Sequence, residues 1–196
     1  MYLARMALIS ILVLLGSGVC LAQRPGPEFW RKLTCEPYEP RTKLEELEMK
    51  TSTLVIRGFT RITTVEVQGI RIDAVEMRAA GGSLRAKGIV IALPETPDRP
   101  ADNRAFVDYE DIDSLLNAID SLSKVDETVT KLAGFEAHYR TQGDLELRVF
   151  RQTRSGTAIT IQTGICNRAT ETLTLDELAK VRAMIQEAKG RLEELR

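Results

Sequence analysis

Residues 173–195, LTLDELAKVRAMIQEAKGRLEEL, predict a long amphipathic helix that closes the fold. Thr174 and Glu177 have the spacing of a capping box, and Leu173 and Leu178 have that of a hydrophobic staple. Apolar residues then recur every three or four positions over about five turns: Leu178, Val181, Ile185, Ala188, Leu192 and Leu195. We expect this stripe to pack on a sheet of the same domain. A coiled-coil dimer is the alternative, but the stripe is shorter than about three heptads.

Seven β-strands are predicted before this helix, because apolar and polar residues alternate there between turn-forming residues. The strands lie near residues 53–59, 63–67, 70–77, 84–93, 135–139, 145–149 and 159–161. Turns are predicted at Gln68-Gly69, Gly81-Gly82, 142–144 and 154–156. The phase of the apolar residues changes near Asp73-Ala74, which predicts a bulge, and changes again around Gly88.

A second helix is predicted between the two groups of strands, and residues 106–112 contain its start. Asp108 is a suitable N-cap, and Glu110 and Asp111 complement the positive end of the helix dipole. Val107 and Ile112 have the spacing of a staple. The helix carries one apolar stripe: Leu115, Leu116, Ile119 and Leu122.

This order of elements predicts an α+β fold. We expect a curled antiparallel sheet of about seven strands, in the order four strands, helix, three strands, helix, capped by the long C-terminal helix. The order resembles a pleckstrin-homology-type roll with a helix inserted between its two sheets, and such a resemblance carries no function. A flat sheet with both helices on one face is the main alternative.

Residues 1–22 have the pattern of a secretory signal peptide. Arg5 precedes an apolar run over residues 6–15, and small residues at Cys20 and Ala22 suit cleavage after Ala22. The apolar run is too short for a membrane anchor, which needs about twenty residues. A lipoprotein signal at Cys20 is disfavoured because Val19 is bulky. We therefore expect an exported protein, periplasmic or secreted, with no integral membrane segment after removal of the signal.

Residues 23–43 form a proline-rich extended leader, and residues 44–196 form a single α+β domain of ordinary domain length. The leader carries Phe29, Trp30 and Tyr38, which are predicted to pin it onto the domain by burial of aromatic rings. The first residues of the domain, 44–49, are compatible with one helical turn or with the lead-in to a strand.

Composition limits the classes of partner and the redox chemistry. The chain has 27 basic and 28 acidic residues, and loss of Arg5 with the signal leaves 26 basic residues. This balance disfavours a generic surface for nucleic acid or anionic membranes. Cys35 and Cys166 remain after the signal, and in an oxidising compartment they are candidates for a disulfide. Whether the two thiols meet in space is open at the level of sequence.

Few residues suggest chemistry. His138, the only histidine, alternates with apolar neighbours and is read as a solvent-facing strand residue beside Glu136 and Arg140. Cys166 with His138 and Asn167 has the residue types of a thiol hydrolase, but nothing in the sequence would lower the pKa of the thiol. Five acids crowd the predicted second helix without the spacing of a calcium loop: Asp108, Glu110, Asp111, Asp113 and Asp120. Gly81-Gly82 is read as a hairpin turn and not as a phosphate loop. We predict no catalytic, cofactor-binding or metal-binding residue.

Three segments of the sequence resemble a group of small exported bacterial proteins to which no function has been assigned. They are residues 106–116, Tyr139-Arg140-Thr141, and the closing helix with Ala188-Lys189 and Leu192. The similarity covers about residues 44–195, and it implies no site residues.

We therefore expect a non-enzymatic binding or interaction domain without a cofactor. Its sheet or its leader would bind an unknown protein or a small ligand, and not nucleic acid. One alternative is a hydrolase or lyase that uses carboxylates such as Asp108 and Glu110. The other is a homodimeric structural module, and we expect a monomer or a weak homodimer.

Overall fold

A computed structural model describes residues 38–62, 67, 69–94, 103–152, 156–164 and 168–195 of the chain, all within a compact unit that spans Cys35–Arg196. Its elements are α1 (Lys43–Glu48), β1 (Val55–Ile62), β2 (Arg71–Ala79), β3 (Arg85–Ala92), β4 (Arg104–Asp108), a 3-10 turn (Tyr109–Asp111), α2 (Ile112–Leu122), β5 (Glu136–Arg140), β6 (Glu146–Gln152), β7 (Gly156–Thr163), β8 (Ala169–Leu173) and α3 (Leu175–Glu193). The fold class is α+β with a long C-terminal helix, as predicted.

The strands form two sheets and not one. β1 to β4 make one four-stranded antiparallel sheet in sequence order, and β5 to β8 make a second. The prediction of a single curled sheet of about seven strands is therefore wrong. The pleckstrin-homology-type roll stays a prediction from the order of elements.

Strand β4 is the first of two strands that the sequence analysis did not predict. The residues predicted to open a helix pair instead with β3, where Val107 lies opposite Ile89 and Phe106 lies opposite Val90. Phe106 and Val107 are both buried, on opposite faces of β4, because helices cover both faces of this sheet. Consecutive buried residues hide the two-residue period by which a strand is recognised. The helix α2 begins only at Ile112, after the 3-10 turn.

Strand β8 is the second unpredicted strand. It pairs with β7, yet only Ala169 and Leu173 are buried along its five residues, so its alternation of apolar and polar residues is too short to be recognised.

The strand predicted over residues 63–67 does not lie between β1 and β2, which pair with each other directly. Residues 63–66 and Gln68 lie outside the described residues. Val67 is buried outside any strand, and its carbonyl accepts a hydrogen bond from the Ile70 amide at 2.8 Å.

The bulge predicted near Asp73 and Ala74 is also wrong. β2 pairs with β1 and with β3 without interruption of the register. The apolar phase changes because each face of β2 packs on a different cluster: Ile72 faces the main core, whereas Val75 and Met77 face α1. The same two-sided burial explains the phase change around Gly88 in β3.

Helix α3 and its cap are confirmed. The Thr174 hydroxyl accepts the amide of Glu177 at 3.2 Å, and the Glu177 carboxylate accepts the amide of Thr174 at 2.8 Å. Its buried residues are Leu178, Val181, Met184, Ile185, Ala188 and Leu192, whereas Leu195 is exposed. These side chains join a core that includes residues of both sheets and of α2. A coiled-coil dimer would use the same apolar stripe as its interface, but this stripe is already buried in the core of a single chain.

Helix α1 covers the other face of the first sheet, where Leu44 and Leu47 are fully buried. At Gly88 of β3, a Cβ would lie 2.8 Å from Leu44 Cδ1 of α1 and 2.2 Å from the Val107 carbonyl oxygen of β4. Glycine at residue 88 therefore allows both β4 and α1 to lie close to β3. The first sheet is thus buried on both faces over much of its length.

The loop between β5 and β6 touches the first sheet. The Phe106 amide donates to the Gly143 carbonyl at 2.9 Å, and a Cβ on Gly143 would lie 2.0 Å from the Phe106 carbonyl oxygen.

Tyr38, predicted to anchor the leader, donates its hydroxyl to Glu45 at 2.5 Å and to Asp144 at 3.2 Å. Burial and the two carboxylates raise the pKa of Tyr38 well above its ordinary value. Phe29 and Trp30 lie outside the described residues.

Candidate functional site

The outer face of the second sheet is polar and carries charged side chains from neighbouring strands. Along β5, Glu136, His138 and Arg140 are exposed, while Ala137 and Tyr139 turn toward the core. The register places Arg140 opposite Glu146 and His138 opposite Arg148 on β6. Residues directly opposite one another in antiparallel strands share a face. We call this surface the arginine face, defined by Glu136, His138, Arg140, Glu146, Arg148 and Arg168.

A buried carboxylate organises the arginine face. Glu146 is only 4% exposed, and it accepts hydrogen bonds from Arg140 at 2.5 Å and from Arg148 at 2.7 Å. The Arg168 guanidinium lies 3.7 Å from the same carboxylate. Burial alone would raise the pKa of Glu146, but the hydrogen bonds from Arg148 and Arg140 outweigh burial and lower that pKa. Glu146 is therefore a fixed negative charge that holds guanidiniums in place.

The arginines keep donor groups available to solvent. The side chains of Arg140, Arg148 and Arg168 are 48%, 38% and 40% exposed. A guanidinium has five N–H donors, and one carboxylate accepts only part of such a set. Glu136 adds an ion pair with Arg148 at 3.5 Å. Three arginines against two glutamates leave the face with an excess of one positive charge when His138 is neutral.

His138 lies where the sequence places it. Its side chain is 61% exposed, and its Nδ1 is 3.9 Å from a Glu136 carboxylate oxygen. Sequence reasoning named Arg140 only as its neighbour and missed Glu146, Arg148 and Arg168. The available signal was Glu146-Leu147-Arg148, in which opposite charges flank a core residue and so share the outer face of a strand.

Asp108 does not cap the helix that follows it. Its carboxylate accepts instead the backbone amides of Lys43 at 2.8 Å and Leu44 at 3.2 Å, at the start of α1. No side-chain cap is present on the 3-10 turn that begins after Asp108. Burial raises the pKa of Asp108, and the two amides offset part of that rise. Its role in the structure is to hold α1 against β4.

Three of the other four acids near α2 pair with bases from other elements. Glu110 pairs with Lys43 at 2.7 Å, Asp113 pairs with Lys189 at 2.7 Å, and Asp120 pairs with Arg182 at 2.6 Å. Hydrogen bonds from Lys43 and Arg182 lower the pKa of Glu110 and of Asp120 respectively. No two of these three acids share a base in these pairs, so the arrangement is that of separate surface ion pairs.

A cleft of about 270 Å³ lies beside α1, between β3 and the end of α3, and is lined by Lys43, Arg85, Ala86, Lys87, Glu110 and Leu195. Its cations already have partners within the protein. Lys43 pairs with Glu110, and Arg85 pairs with Glu76 outside the cleft. Lys87 donates to the Leu192 carbonyl at 3.3 Å and lies 4.0 Å from the ring centre of Tyr109. An anion in this cleft would compete with these contacts, which makes the arginine face the stronger candidate.

The remaining candidates give no site. Cys35, Cys166 and Asn167 lie outside the described residues, and so does the candidate disulfide. Gly81-Gly82 forms the β2–β3 turn, where Gly81 has a φ of 75°. Among the described residues, no group of three or more His, Cys, Asp or Glu side chains is placed to hold a metal ion. None of the helices that the structure describes has the length and apolar character needed to cross a membrane.

A scan against models of protein families and a search of curated proteins gave no match to the chain. The resemblance to small exported bacterial proteins therefore stays a prediction from residues 44–195.

Proposed function

We propose that the protein is an exported, non-catalytic binding domain that recognises an acidic segment of a partner protein through the arginine face. Three guanidiniums gathered around the buried Glu146 carboxylate, on the outer face of a sheet, carry the proposal. Export rests on the signal-like pattern of residues 1–22.

Guanidiniums fit this role because their planar donors match the two oxygens of a carboxylate. Glu146 orients Arg140 and Arg148 before any ligand arrives, so less side-chain entropy is lost on binding. The side chains of the arginine face lie along the outer face of paired strands, an arrangement that suits an extended segment better than a small molecule.

An acidic protein segment is favoured over nucleic acid by the small size of the positive excess. Phosphate-backbone binding relies on many cations along one surface. The arginine face carries an excess of one charge, and the whole chain has a net charge of -1. These guanidiniums can form ion pairs with two or three carboxylates of a ligand.

The test is fluorescence anisotropy with a labelled oligoglutamate peptide and an oligoglutamine peptide of the same length. We expect binding of oligoglutamate only, with an affinity that falls as salt is added. Arg168→Gln should weaken binding by about fivefold, the equivalent of about 1 kcal/mol for an exposed ion pair. Arg168 is chosen because Glu146 keeps its two hydrogen-bonded arginines in this variant.

Arg182→Gln is the matched control, since Arg182 is ion-paired and about as exposed but lies on α3. It should leave the affinity for oligoglutamate unchanged. Absence of oligoglutamate binding at low salt would overturn the proposal, as would equal losses in the Arg168→Gln and Arg182→Gln variants.

The hydrolase or lyase alternative receives no support from the geometry. Asp108 is engaged by the amides of α1, and Glu110 is engaged by the Lys43 ammonium. A carboxylate pair in an acid–base mechanism needs both groups directed at one substrate atom or water.

A further inference from the structure

Strand β1 is an edge strand with peptide groups directed away from its sheet. Among the residues that the structure describes, it pairs only with β2. The Ala80 amide donates to the Leu54 carbonyl at 2.8 Å, so the peptide groups of residues 54, 56, 58, 60 and 62 face β2. The alternation then directs the N–H and C=O groups of Val55, Arg57, Phe59 and Arg61 outward. Unpaired groups of this kind are a template for another strand.

Apolar side chains crowd the same edge. Leu54 is 69% exposed, Ile56 is 42% exposed and Phe59 is 58% exposed. Between Val55 and Ile62 the register with β2 is continuous and no proline occurs, so Arg57 and Arg61 are the protections that this edge has. A regular edge that the described part of the chain leaves unpaired, with exposed apolar side chains beside it, is expected to pair with a further strand.

We propose that β1 pairs in antiparallel fashion with β1 of a second copy of the chain, with Gly58 of one copy opposite Gly58 of the other. The two first sheets then join as one continuous sheet of eight strands across a two-fold axis. Such an isologous contact closes on itself and gives a dimer, not a filament.

The sequence of β1 favours this register over its neighbours. With Gly58 on the axis, Val55 lies opposite Arg61 of the second copy and Arg57 lies opposite Phe59. All four outward-facing residues are then paired, and no two like charges oppose each other. A shift that places Phe59 opposite Phe59 would bring Arg57 opposite Arg61, and Val55 would then lie beyond the described end of β1 in the second copy. A shift by one residue would pair outward peptide groups with inward ones.

The charges of the edge are compatible with close approach. Arg57 lies 3.8 Å from Glu48, and Arg61 lies 3.2 Å from Asp73, so each cation has a counter-charge within its own copy. Both guanidiniums already lie within about 6 Å of the Phe59 ring centre, at 5.8 and 6.0 Å. In the dimer, Phe59 gains the Arg57 guanidinium of the second copy on the same face.

Sedimentation velocity over a concentration series of the purified chain tests the proposal. The wild type should pass from monomer to dimer as concentration rises. Phe59→Lys should stay monomeric over the same range, because it sets a lysine opposite Arg57 of the second copy. Leu132→Lys is the matched control, since Leu132 is 74% exposed on a loop, and it should dimerise like the wild type. A monomeric wild type, or a dimer that persists in Phe59→Lys, would refute the proposal.

Cysteine cross-linking tests the register. At Gly58 and at Gly134, a new Cβ would meet nothing within 4 Å, so both positions accept cysteine. Gly58→Cys should give an oxidised dimer linked through residue 58, because facing residues of a non-hydrogen-bonded pair approach to about 4.5 Å between Cα atoms. Gly134→Cys should not. Peptide mapping separates this link from any made by Cys35 or Cys166. A 59–59 link in Phe59→Cys, without a link in Gly58→Cys, would disprove the register.

Hydrogen exchange separates a second copy from a segment of the same chain. The amides of Val55, Arg57, Phe59 and Arg61 should become protected as concentration rises. Protection that is already complete in the monomer would mean that the chain covers its own edge, and would overturn the proposal.

Discussion

Gly88 lies at a point where β3 is in close contact with both β4 and α1. Replacing it with alanine places a Cβ 2.2 Å from the Val107 carbonyl oxygen, which is backbone and cannot turn aside. We expect Gly88→Ala to lower the free energy of unfolding by about 3 kcal/mol or to prevent folding, as overpacking in a closed site does. Urea denaturation followed by circular dichroism measures the change.

Gly58→Ala is the control for that substitution, since it adds the same methyl group in a strand of the same sheet. Nothing lies within 4 Å of the new Cβ there. We expect a change below about 1 kcal/mol, and a small gain if the unfolded chain loses entropy. Equal destabilisation by the two substitutions would show that Gly88 is not in close contact with β4.

Glu146 makes stability depend on pH in a defined direction. Its pKa is lower in the fold than in the unfolded chain, because the hydrogen bonds from Arg148 and Arg140 outweigh burial. A carboxyl with a lowered folded pKa stabilises the protein fully above its unfolded pKa, and this contribution is lost as pH falls through the folded value. We therefore expect the stability difference between wild type and Glu146→Gln to shrink as the pH is lowered.

Denaturant unfolding of both proteins, between about pH 7 and about pH 3, measures this difference. The Glu127→Gln variant is the control, because Glu127 pairs with Arg151 at the exposed surface at 2.9 Å. A difference between wild type and Glu146→Gln that is independent of pH would contradict the charged role assigned to Glu146.

At the scale of elements, helix α1 is held at its N-terminal end by a carboxylate from a distant strand. Asp108→Ala removes the acceptor for two amides, one of them buried. We expect a loss of about 1–2 kcal/mol in the free energy of unfolding, as for loss of a helix cap. Asp113→Ala, which removes an exposed partner of Lys189, should cost less than about 1 kcal/mol. Equal losses in denaturant titrations of the two variants would contradict the capping role.

The same elements show how far local patterns reach. Helix α3 was predictable because its cap, staple and stripe are all local in sequence, and one face alone is buried. Strand β4 was not predictable, because it is buried on both faces and its adjacent residues Phe106 and Val107 are both apolar. Asp108 satisfies the residue preferences of an N-cap for the helix beside it, but it caps a helix 65 residues away in sequence, which no local rule can reveal.

The candidate site was even less accessible to sequence reasoning. The alternation of β5 predicted that Glu136, His138 and Arg140 share an exposed face. The meeting of Arg140 with Glu146 depends on the register of β5 with β6, and that of Arg168 depends on the fold of the whole sheet. Ion pairs of this kind are set by tertiary structure and leave no spacing of their own in the sequence.

At the scale of the molecule, one core joins both sheets. It includes Ile72 and Ile89 of the first sheet, Val149 and Ile161 of the second, and Leu115 of α2. The two sheets therefore share their buried side chains with α2 and α3 and are not separate folding units. This arrangement also accounts for the burial of the α3 stripe, which lies in the same core.

The two sheets differ in how freely their residues can change over evolution. Much of the first sheet is buried on both sides, so most substitutions there disturb packing. Apart from the buried Glu146, the outward charged side chains of β5 and β6 are largely exposed, so substitutions there should have small effects on folding. Sequences that share this fold should therefore vary more at these exposed positions than in the buried strands of the first sheet.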